Sequence, residues 1–348
     1  MILLRHQRIE TVDDACRLIQ MAVQLELTTL PPYLYALYTI LPDRNREAAV
    51  RIRSVALEEM IHMCLACNLL NALGTTPVIA SAAVAPKYPG TLPGDIGGEK
   101  GAPFEVHLLP FSPESMLQAM KIEEPEDPLV FPVLRMAEAA AAEPEFMTIG
   151  QFYQYLDDFL RQLPAGDWSK DRNQIIDAQF FAGQLFAIGD YESAHTAIQR
   201  IVSEGEGSKT SPLDFQQEVA HFYRFEEIYR NSVLTKADNP QGFGWGGSLG
   251  VDWSAVAPAI SDPGCYDFSR DPAAGAAQDA CDAAYTRMLD ELQRAVGGEI
   301  GRLGNAVRAM YDLRMAALVA LATPLAGTSQ VAGPAFRYRP AAADRSAP

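Results

Sequence analysis

Glu-x-x-His motifs are the feature of this sequence that most restricts its fold. The chain has five histidines, and three of them end such a motif, at Glu59–His62, Glu192–His195 and Glu218–His221. Residues three positions apart lie on the same face of an α-helix, so one carboxylate and one imidazole can bind the same ion. Repeated motifs of this kind therefore favour a helical bundle with a metal site in its interior.

The first two long helices can be placed from their apolar periodicity. Residues 11–40 begin with a capping box and then repeat apolar residues at helical spacing. A second such pattern covers residues 47–73 and stops at Gly74. If these helices form an antiparallel hairpin that turns near residue 43, Glu26 and Glu59 are almost equally far from the turn. We therefore expect the two carboxylates to lie at the same level of the bundle.

A second hairpin is predicted from helices over residues 190–206 and 211–233, with its turn near residue 210. The second helix of this pair begins with Ser-Pro, which is typical of a helix start. Three candidate ligands then lie within about one helical turn of the same level: Glu204, Glu218 and His221. Glu206 is kept as an alternative to Glu204, because a helix that ends here does not fix which of the two faces inward.

Helical phase separates the third Glu-x-x-His motif from this set. His195 and Glu204 lie on opposite sides of their predicted helix, so we interpret Glu192 and His195 as surface residues or as residues just outside the site. Glu58 precedes His62 by one helical turn and is a spare candidate, although its polar neighbours indicate a more solvent-exposed face.

Burial supports a metal site at the remaining residues, which are Glu26, Glu59, His62, Glu204 or Glu206, Glu218 and His221. Several of these acids interrupt apolar helix faces, and ionised carboxylates rarely enter a protein interior unless they are paired or bind metal. In di-iron and di-manganese bundles, two helices each supply a Glu and two others each supply a Glu-x-x-His. Such ligands suit iron or manganese better than copper. We therefore predict two ions, with iron favoured and manganese as the alternative.

The middle of the chain differs from these helical segments. Residues 75–148 contain many prolines, which break up any long helix or strand. We predict a structured crossover there, with one short helix near residues 113–120. A further helix is expected over residues 149–162. A connection of this length is expected to be packed or functional.

The last third of the chain is predicted to extend the bundle. Residues 235–275 are rich in Gly, Pro, Asp and Trp and are interpreted as a loop or lid. Two more helices are expected, over residues 276–296 and 299–322. We therefore divide the chain into a metal-binding bundle, residues 1–234, and a C-terminal extension packed on it, residues 235–348.

The net charge bears on the partners of this chain. Its 28 Lys and Arg residues against 44 Asp and Glu residues give a charge of −16, which disfavours binding to nucleic acid and to anionic membranes. No apolar run is long enough for a signal peptide or a membrane span, and the five cysteines do not indicate a disulfide framework. We expect a cytoplasmic protein, compatible with a homo-oligomer, whose partners are a small-molecule substrate and dioxygen.

Two smaller groups of residues have alternative interpretations. Three tyrosines follow Glu26 on the first helix and could carry oxidising equivalents, but packing is favoured: Tyr33, Tyr35 and Tyr38. Cys64 and Cys67 form a C-x-x-C inside a helical pattern without a second pair, so buried packing is favoured over a redox or zinc role.

Several longer motifs carry a family resemblance. They are Glu-Leu-Thr-Thr-Leu-Pro-Pro-Tyr-Leu-Tyr at 26–35, Glu-Glu-Met-Ile-His at 58–62, Gly-Glu-Gly at 205–207 and His-Phe-Tyr-Arg-Phe at 221–225. Others follow at 283–285, 309–313 and 332–336. Together they resemble the ferritin-like domain of iminophenyl-pyruvate dimer synthases, which act in the chromopyrrolate and violacein pathways. The resemblance covers most of the chain.

This resemblance implies an all-α, ferritin-like four-helix bundle with a long crossover and additional C-terminal helices. It also implies a non-haem metal site and the oxidative coupling of two imines of aromatic 2-keto acids. The leading hypothesis is a metal-dependent oxidoreductase that uses dioxygen on a small amino-acid-derived molecule in secondary metabolism. The alternative is a ferritin-like metal-binding or storage protein without small-molecule turnover.

Overall fold

The chain folds mainly into α-helices. A computed structural model describes residues 4–5, 8–94, 104–125, 146–147, 149–177, 179–181, 183–207 and 211–340. Within these residues there are eight α-helices: α1 (Val12–Thr39), α2 (Arg46–Ala72), α3 (Pro113–Ile122), α4 (Ile149–Leu160), α5 (Tyr191–Glu206), α6 (His221–Arg230), α7 (Pro272–Val296) and α8 (Leu303–Leu321). The predicted all-α class is confirmed.

The strands of the described residues are short and pair only two at a time. All three pairs are antiparallel: β1 (Leu4–Arg5) with β4 (Phe146–Met147), β2 (Gly90–Thr91) with β3 (Glu105–Val106), and β5 (Ser232–Lys236) with β6 (Phe243–Ser248). The β5–β6 hairpin occupies part of the segment that was predicted as a loop or lid, so that segment is more regular than expected.

The pair formed by α1 and α2 follows the sequence prediction closely. Thr11 caps α1 with its side chain, and the Asp14 side chain bonds back to the Thr11 backbone, which completes the predicted capping box. Gly74 follows α2 with a φ of +83°, and its N–H donates to the Asn71 carbonyl. A glycine accepts this left-handed conformation without steric cost, which explains why the helix ends there.

The described part of the crossover packs against α1. The hydroxyl of Tyr88 donates to the Thr28 carbonyl over 2.6 Å, and the N–H of Phe111 donates to the Thr39 hydroxyl over 2.8 Å. The short helix predicted near residues 113–120 is present as α3. Residues 95–103, 126–145 and 148 of the predicted crossover lie outside the described residues.

The helix predicted over residues 211–233 was wrong in its first half, because α6 begins only at His221. The Asp214 carboxylate accepts hydrogen bonds from the N–H groups of Gln216 and Glu218 over 2.8 and 2.9 Å. Gln217 has a φ of +64°, which no α-helix contains. This local turn lies where the first part of the helix was predicted, so Glu218 precedes the helix instead of lying on it.

The helices α7 and α8, called the C-terminal helix pair below, confirm the two helices predicted after residue 275. The segment that follows them is packed rather than free: Phe336 is buried against Tyr285, and Arg337 and Arg339 pair with the buried Asp282. In the described residues, no helix combines the length and the apolar composition that a membrane crossing requires.

Candidate metal centre

Three buried side chains from α1 and α2 form the first group of possible metal ligands. Glu59 and His62 lie one helical turn apart on the inner face of α2, and Glu26 faces them from α1. The Nδ1 atom of His62 lies 3.5 Å from Glu59 Oε1 and 3.8 Å from Glu26 Oε2. The sequence prediction that Glu26 and Glu59 lie at one level is therefore matched by the structure.

A second group shares Glu59 with the first. The Nδ1 atom of His221 lies 2.9 Å from Glu59 Oε1 and 3.6 Å from Glu123 Oε2. Within each group the possible ligand atoms all lie within 4.8 Å of one another. The two imidazole rings are stacked with their centroids 5.5 Å apart. Glu59 thus lies between two adjacent sets of ligand atoms.

The outer nitrogen of each imidazole is held by a further carboxylate. His62 Nε2 lies 2.7 Å from Glu204, whose other oxygen lies 2.9 Å from Arg200. A carboxylate that fixes the outer nitrogen orients the ring and raises its basicity as a metal ligand. Glu204 is therefore close to the site as predicted, but it contacts the nitrogen of His62 that faces away from Glu26 and Glu59.

The other imidazole repeats this arrangement with different residues. His221 Nε2 lies 2.8 Å from Glu58 Oε2, and Glu58 Oε1 accepts a hydrogen bond of 2.7 Å from Arg224. The sequence prediction kept Glu58 only as a spare candidate on a more solvent-exposed face of the helix. In the structure its side chain is 14 % exposed and contacts the site through His221.

Hydroxyl groups hold the three inner carboxylates. Tyr153 donates to Glu26 Oε1 over 2.8 Å, Tyr33 donates to Glu123 Oε1 over 2.5 Å, and Thr29 donates to Glu59 Oε2 over 2.8 Å. In each case the oxygen near an imidazole is a different one from the oxygen that accepts the hydroxyl. Each carboxylate therefore keeps one oxygen close to the Nδ1 atom of an imidazole.

Burial and mutual repulsion shift the protonation of these groups. Burial, followed by the Glu59 charge, raises the pKa of Glu26 well above its usual range and also raises the pKa of Glu123. Burial opposes the charged form of His62, but Glu204 and Glu59 outweigh it and raise its pKa to about 10. His221 is raised well above its usual pKa in the same way. A site that draws protons so strongly also favours cations.

One predicted residue, Glu218, is not brought to this cluster. The side chain of Glu218 is 63 % exposed and lies 3.3 Å from Arg224. It cannot face His62 because the turn around Asp214 replaces the predicted helix. The side chain of Glu206 lies outside the described residues. His195, which the sequence prediction set aside, pairs with Asp157 at 3.0 Å and is 37 % exposed.

Glu123 is the inner carboxylate that the sequence prediction missed. It follows the last residue of α3, inside the Pro-rich crossover, where no Glu-x-x-His motif marks it. One signal was present: Met116, Ala119 and Ile122 are buried at helical spacing, and Glu123 continues that face one turn beyond Ala119.

The residues present fit a metal centre. Three carboxylates and two imidazole nitrogens converge, all on buried or nearly buried side chains. His221 Nδ1 is completely buried, and among the described residues it has no hydrogen bond of acceptable geometry. A buried imidazole nitrogen without such a bond is costly unless another partner takes its lone pair or proton. Carboxylate and imidazole donors together suit iron, manganese or zinc.

Comparisons with known proteins agree with this architecture. A family model described as ferritin-like matches residues 19–230, which include every residue of the cluster. A crystal structure of a ferritin-like protein from Caulobacter vibrioides superimposes with a TM-score of 0.64 and 22 % sequence identity, covering 96 % of this chain and 100 % of that one. At that identity the likeness concerns the fold. No curated protein matches the chain.

Proposed function

This chain belongs to the ferritin-like family, and from that premise we propose that it is a di-metal oxidoreductase that uses dioxygen. The observation that carries the proposal is the position of Glu59, which is shared by two groups of buried ligand atoms. Glu26 and His62 would hold one ion with it, and Glu123 and His221 would hold the other. Glu59 would then be a ligand to both ions.

Charge supports two cations rather than one. The outer carboxylates Glu204 and Glu58 are each paired with an arginine. The three inner carboxylates contact hydroxyls and imidazoles instead. Among the described residues, they form no ion pair with an arginine. Three buried negative charges are prohibitively costly unless cations or protons compensate them. Two divalent ions would compensate these charges and leave one positive charge for a hydroxide or an anionic substrate.

Iron is the metal that this proposal favours, with manganese second. Both take mixed carboxylate and imidazole ligands. When bound, such ions supply one-electron steps through which dioxygen can be reduced. The chain's own residues would position the ligands, since Tyr153 and Tyr33 hold the terminal carboxylates and Glu204 and Glu58 hold the imidazoles.

A cavity beside the cluster would admit the reactants. Its wall includes Glu26, Glu59, His62 and Glu123, and its other residues are mostly apolar: Leu25, Ile122, Ile149, Ile201 and Val202. An apolar wall excludes water from the reacting groups and strengthens electrostatic interactions inside the cavity. It also favours a substrate that presents an apolar or aromatic group to the site.

The finer proposal concerns the substrate, and the resemblance of the motifs at 26–35, 58–62 and 221–225 supports it. We propose a small amino-acid-derived molecule of secondary metabolism, such as the imine of an aromatic 2-keto acid. Joining two such molecules through a new carbon–carbon bond removes two hydrogen atoms. Dioxygen accepts these as two electrons and two protons, which gives hydrogen peroxide.

Metal loading followed by oxygen uptake tests the proposal. Purified full-length protein is stripped of metal, loaded with Fe²⁺ without oxygen and analysed for bound iron. We expect two ions per chain, and oxygen uptake that accelerates when imines of aromatic 2-keto acids are added. Glu59→Ala should lose both ions, because both groups contain this residue, whereas the exposed Glu218→Ala serves as the matched control.

The outcomes separate the competing functions. Two bound ions with oxygen uptake that no substrate accelerates would favour metal binding or storage. One ion per chain in the native protein, or two ions retained in a folded Glu59→Ala variant, would contradict a centre in which Glu59 helps to hold both ions. Circular dichroism and thermal unfolding of each variant distinguish lost ligands from a lost fold.

A further inference from the structure

A second cavity lies where the C-terminal helix pair packs against α1 and α2. Its walls come from these four helices and from Phe181, and its volume is about 70 Å³. Several wall residues are only half-buried, among them Leu34, Val307 and Met310, so the cavity can be reached from the surface. Among the described residues, it shares no wall residue with the cavity at the metal centre.

The wall of this apolar cavity contains no charged side chain from the described part of the chain. Its least apolar members are two tyrosines and Cys64. A charged group that entered the cavity would lose its hydration and gain no ionic partner. Such a transfer is strongly unfavourable.

Four methionines give the cavity an adaptable wall. Met60 and Met63 come from α2, Met288 from α7 and Met310 from α8. Methionine side chains adjust to irregular shapes, and their sulfur atoms make favourable contacts with aromatic rings. Protein interiors are otherwise close-packed, and a cavity left between helices reduces stability. A cavity with this lining is therefore better explained by a ligand than by packing.

We propose that the apolar cavity is a binding site, separate from the metal centre, for one uncharged single-ring aromatic molecule. At about 70 Å³ the cavity is smaller than the roughly 150 Å³ of an engineered protein cavity that holds benzene, so one ring is the upper limit, and its entry requires the methionine side chains to move apart. The absence of ionic partners in the described wall excludes charge, and the methionines favour an aromatic face. Leu27 and Met60 of this wall directly follow Glu26 and Glu59 in sequence. The same two helices therefore carry both sites on different faces.

A pair of matched ligands tests the chemistry of this site. Toluene and benzoate have the same ring, but benzoate carries a charge. With the full-length protein, we expect toluene to bind saturably at one site per chain, measured by calorimetry and by saturation-transfer NMR. Benzoate should bind at least about a hundredfold more weakly, because its carboxylate has no partner in the wall. Absence of saturable toluene binding, or equal affinity for the two ligands, overturns the proposal.

Matched variants test the location. Val307→Phe fills the cavity from α8, and Val319→Phe places the same side chain on the same helix at a position that is 59 % exposed. We expect the affinity for toluene to fall at least about tenfold in the first variant and to stay unchanged in the second. If Val307→Phe does not fold, Leu34→Phe fills the cavity from α1 and is interpreted in the same way.

The metal content of these samples keeps this proposal distinct from the proposed function. Both filling variants should bind as much iron as the native protein, because neither residue belongs to the ligand groups or lines the cavity at the metal centre. Unchanged toluene affinity in a folded filling variant would place the ligand elsewhere and refute the site. That result would leave the di-metal proposal standing, just as a failure of iron binding would leave the apolar cavity standing.

Discussion

The metal centre consists of two halves that repeat the same contacts with different structural elements. In the Glu26 half, Tyr153 holds Glu26, Glu204 holds the outer nitrogen of His62, and Arg200 holds Glu204. In the Glu123 half, Tyr33, Glu58 and Arg224 make the corresponding contacts with Glu123 and His221. Glu59 lies between the halves and contacts both imidazoles.

The halves differ in how the chain supplies their inner ligands. Glu26 and His62 lie in the interiors of two long helices, whose capping and packing fix their positions over several turns. Glu123 instead caps the C-terminus of α3, and His221 is the first residue of α6. Helix ends fray more readily than helix interiors. We therefore expect the Glu26 half to be the more rigid and the tighter metal site.

The largest effect that tests this comparison is the loss of one ion. Glu26→Ala and Glu123→Ala each remove the terminal carboxylate of one half, so each variant should bind one ion where the native protein binds two. Iron analysis of the folded variants measures this directly. Because the Glu26 half is expected to be tighter, the ion kept by Glu123→Ala should resist a chelator longer than the ion kept by Glu26→Ala.

Two results would break the comparison. If Glu123→Ala keeps both ions, Glu123 is not a ligand and the second half is incomplete. If either single variant loses both ions, the halves do not bind independently. Glu218→Ala is the matched control, because Glu218 is a glutamate close to His221 in sequence whose side chain is largely exposed.

The same contrast explains what the sequence could predict. Helical periodicity and equal distances from a turn placed Glu26, Glu59 and His62 together, because their spacing is carried by regular helices. The same helical patterns predict a helical bundle, and the ferritin-like fold that the motif resemblance implies is confirmed by the family match. The role of these side chains as ligands stays a prediction that metal analysis must test.

Of the Glu123 half, the sequence predicted His221 but not Glu123, because the placement of this half depends on where helices begin and end. The motif Glu218–His221 has the right spacing, but the Asp214 carboxylate binds backbone N–H groups and delays the helix until His221. An Asp side chain that competes with the helix for backbone donors is a local effect, which periodicity does not report. Glu123 depends in turn on the packing of the crossover.

A smaller effect is expected from the outer carboxylates. Glu204→Gln and Glu58→Gln keep the side-chain shape but remove the charge that orients each imidazole, and loss of such a partner weakens metal binding roughly 10–100-fold. The side chain of Glu204 is 1 % exposed and that of Glu58 is 14 % exposed. Because screening by water is weaker at the more buried position, Glu204→Gln should have the larger effect.

Chelator competition measures the metal affinity of the two variants. Glu218→Gln is the control, because it makes the same substitution at an exposed position. An unchanged affinity in both variants would show that the outer carboxylates do not tune the imidazoles. A larger loss of metal affinity in Glu58→Gln than in Glu204→Gln would contradict the expected order of the two variants. Thermal unfolding of the metal-free variants shows whether the arginine left behind, Arg200 or Arg224, has destabilised the fold instead.

A pH dependence should also appear in each half separately, and its size per pH unit is the smallest of these effects. In the metal-free protein, Glu204 and Glu59 overcome burial and raise the pKa of His62 to about 10. The ring is therefore protonated at pH 7, and an ion that binds Nδ1 must displace a proton. The affinity for metal should increase about tenfold per pH unit for each proton released. The part of this increase that comes from the proton on His62 should level off near pH 10.

Calorimetry of Glu123→Ala in two buffers with different ionisation enthalpies isolates this effect, because that variant keeps only the Glu26 half. We expect at least one proton to be released per ion at pH 7. In Glu204→Gln the proton on His62 loses its nearest carboxylate, so the pKa of His62 falls and fewer protons should be released. If metal binding releases no proton in either Glu123→Ala or Glu204→Gln, His62 is already neutral before the metal binds. The contact between its Nε2 atom and Glu204 then does not determine its charge.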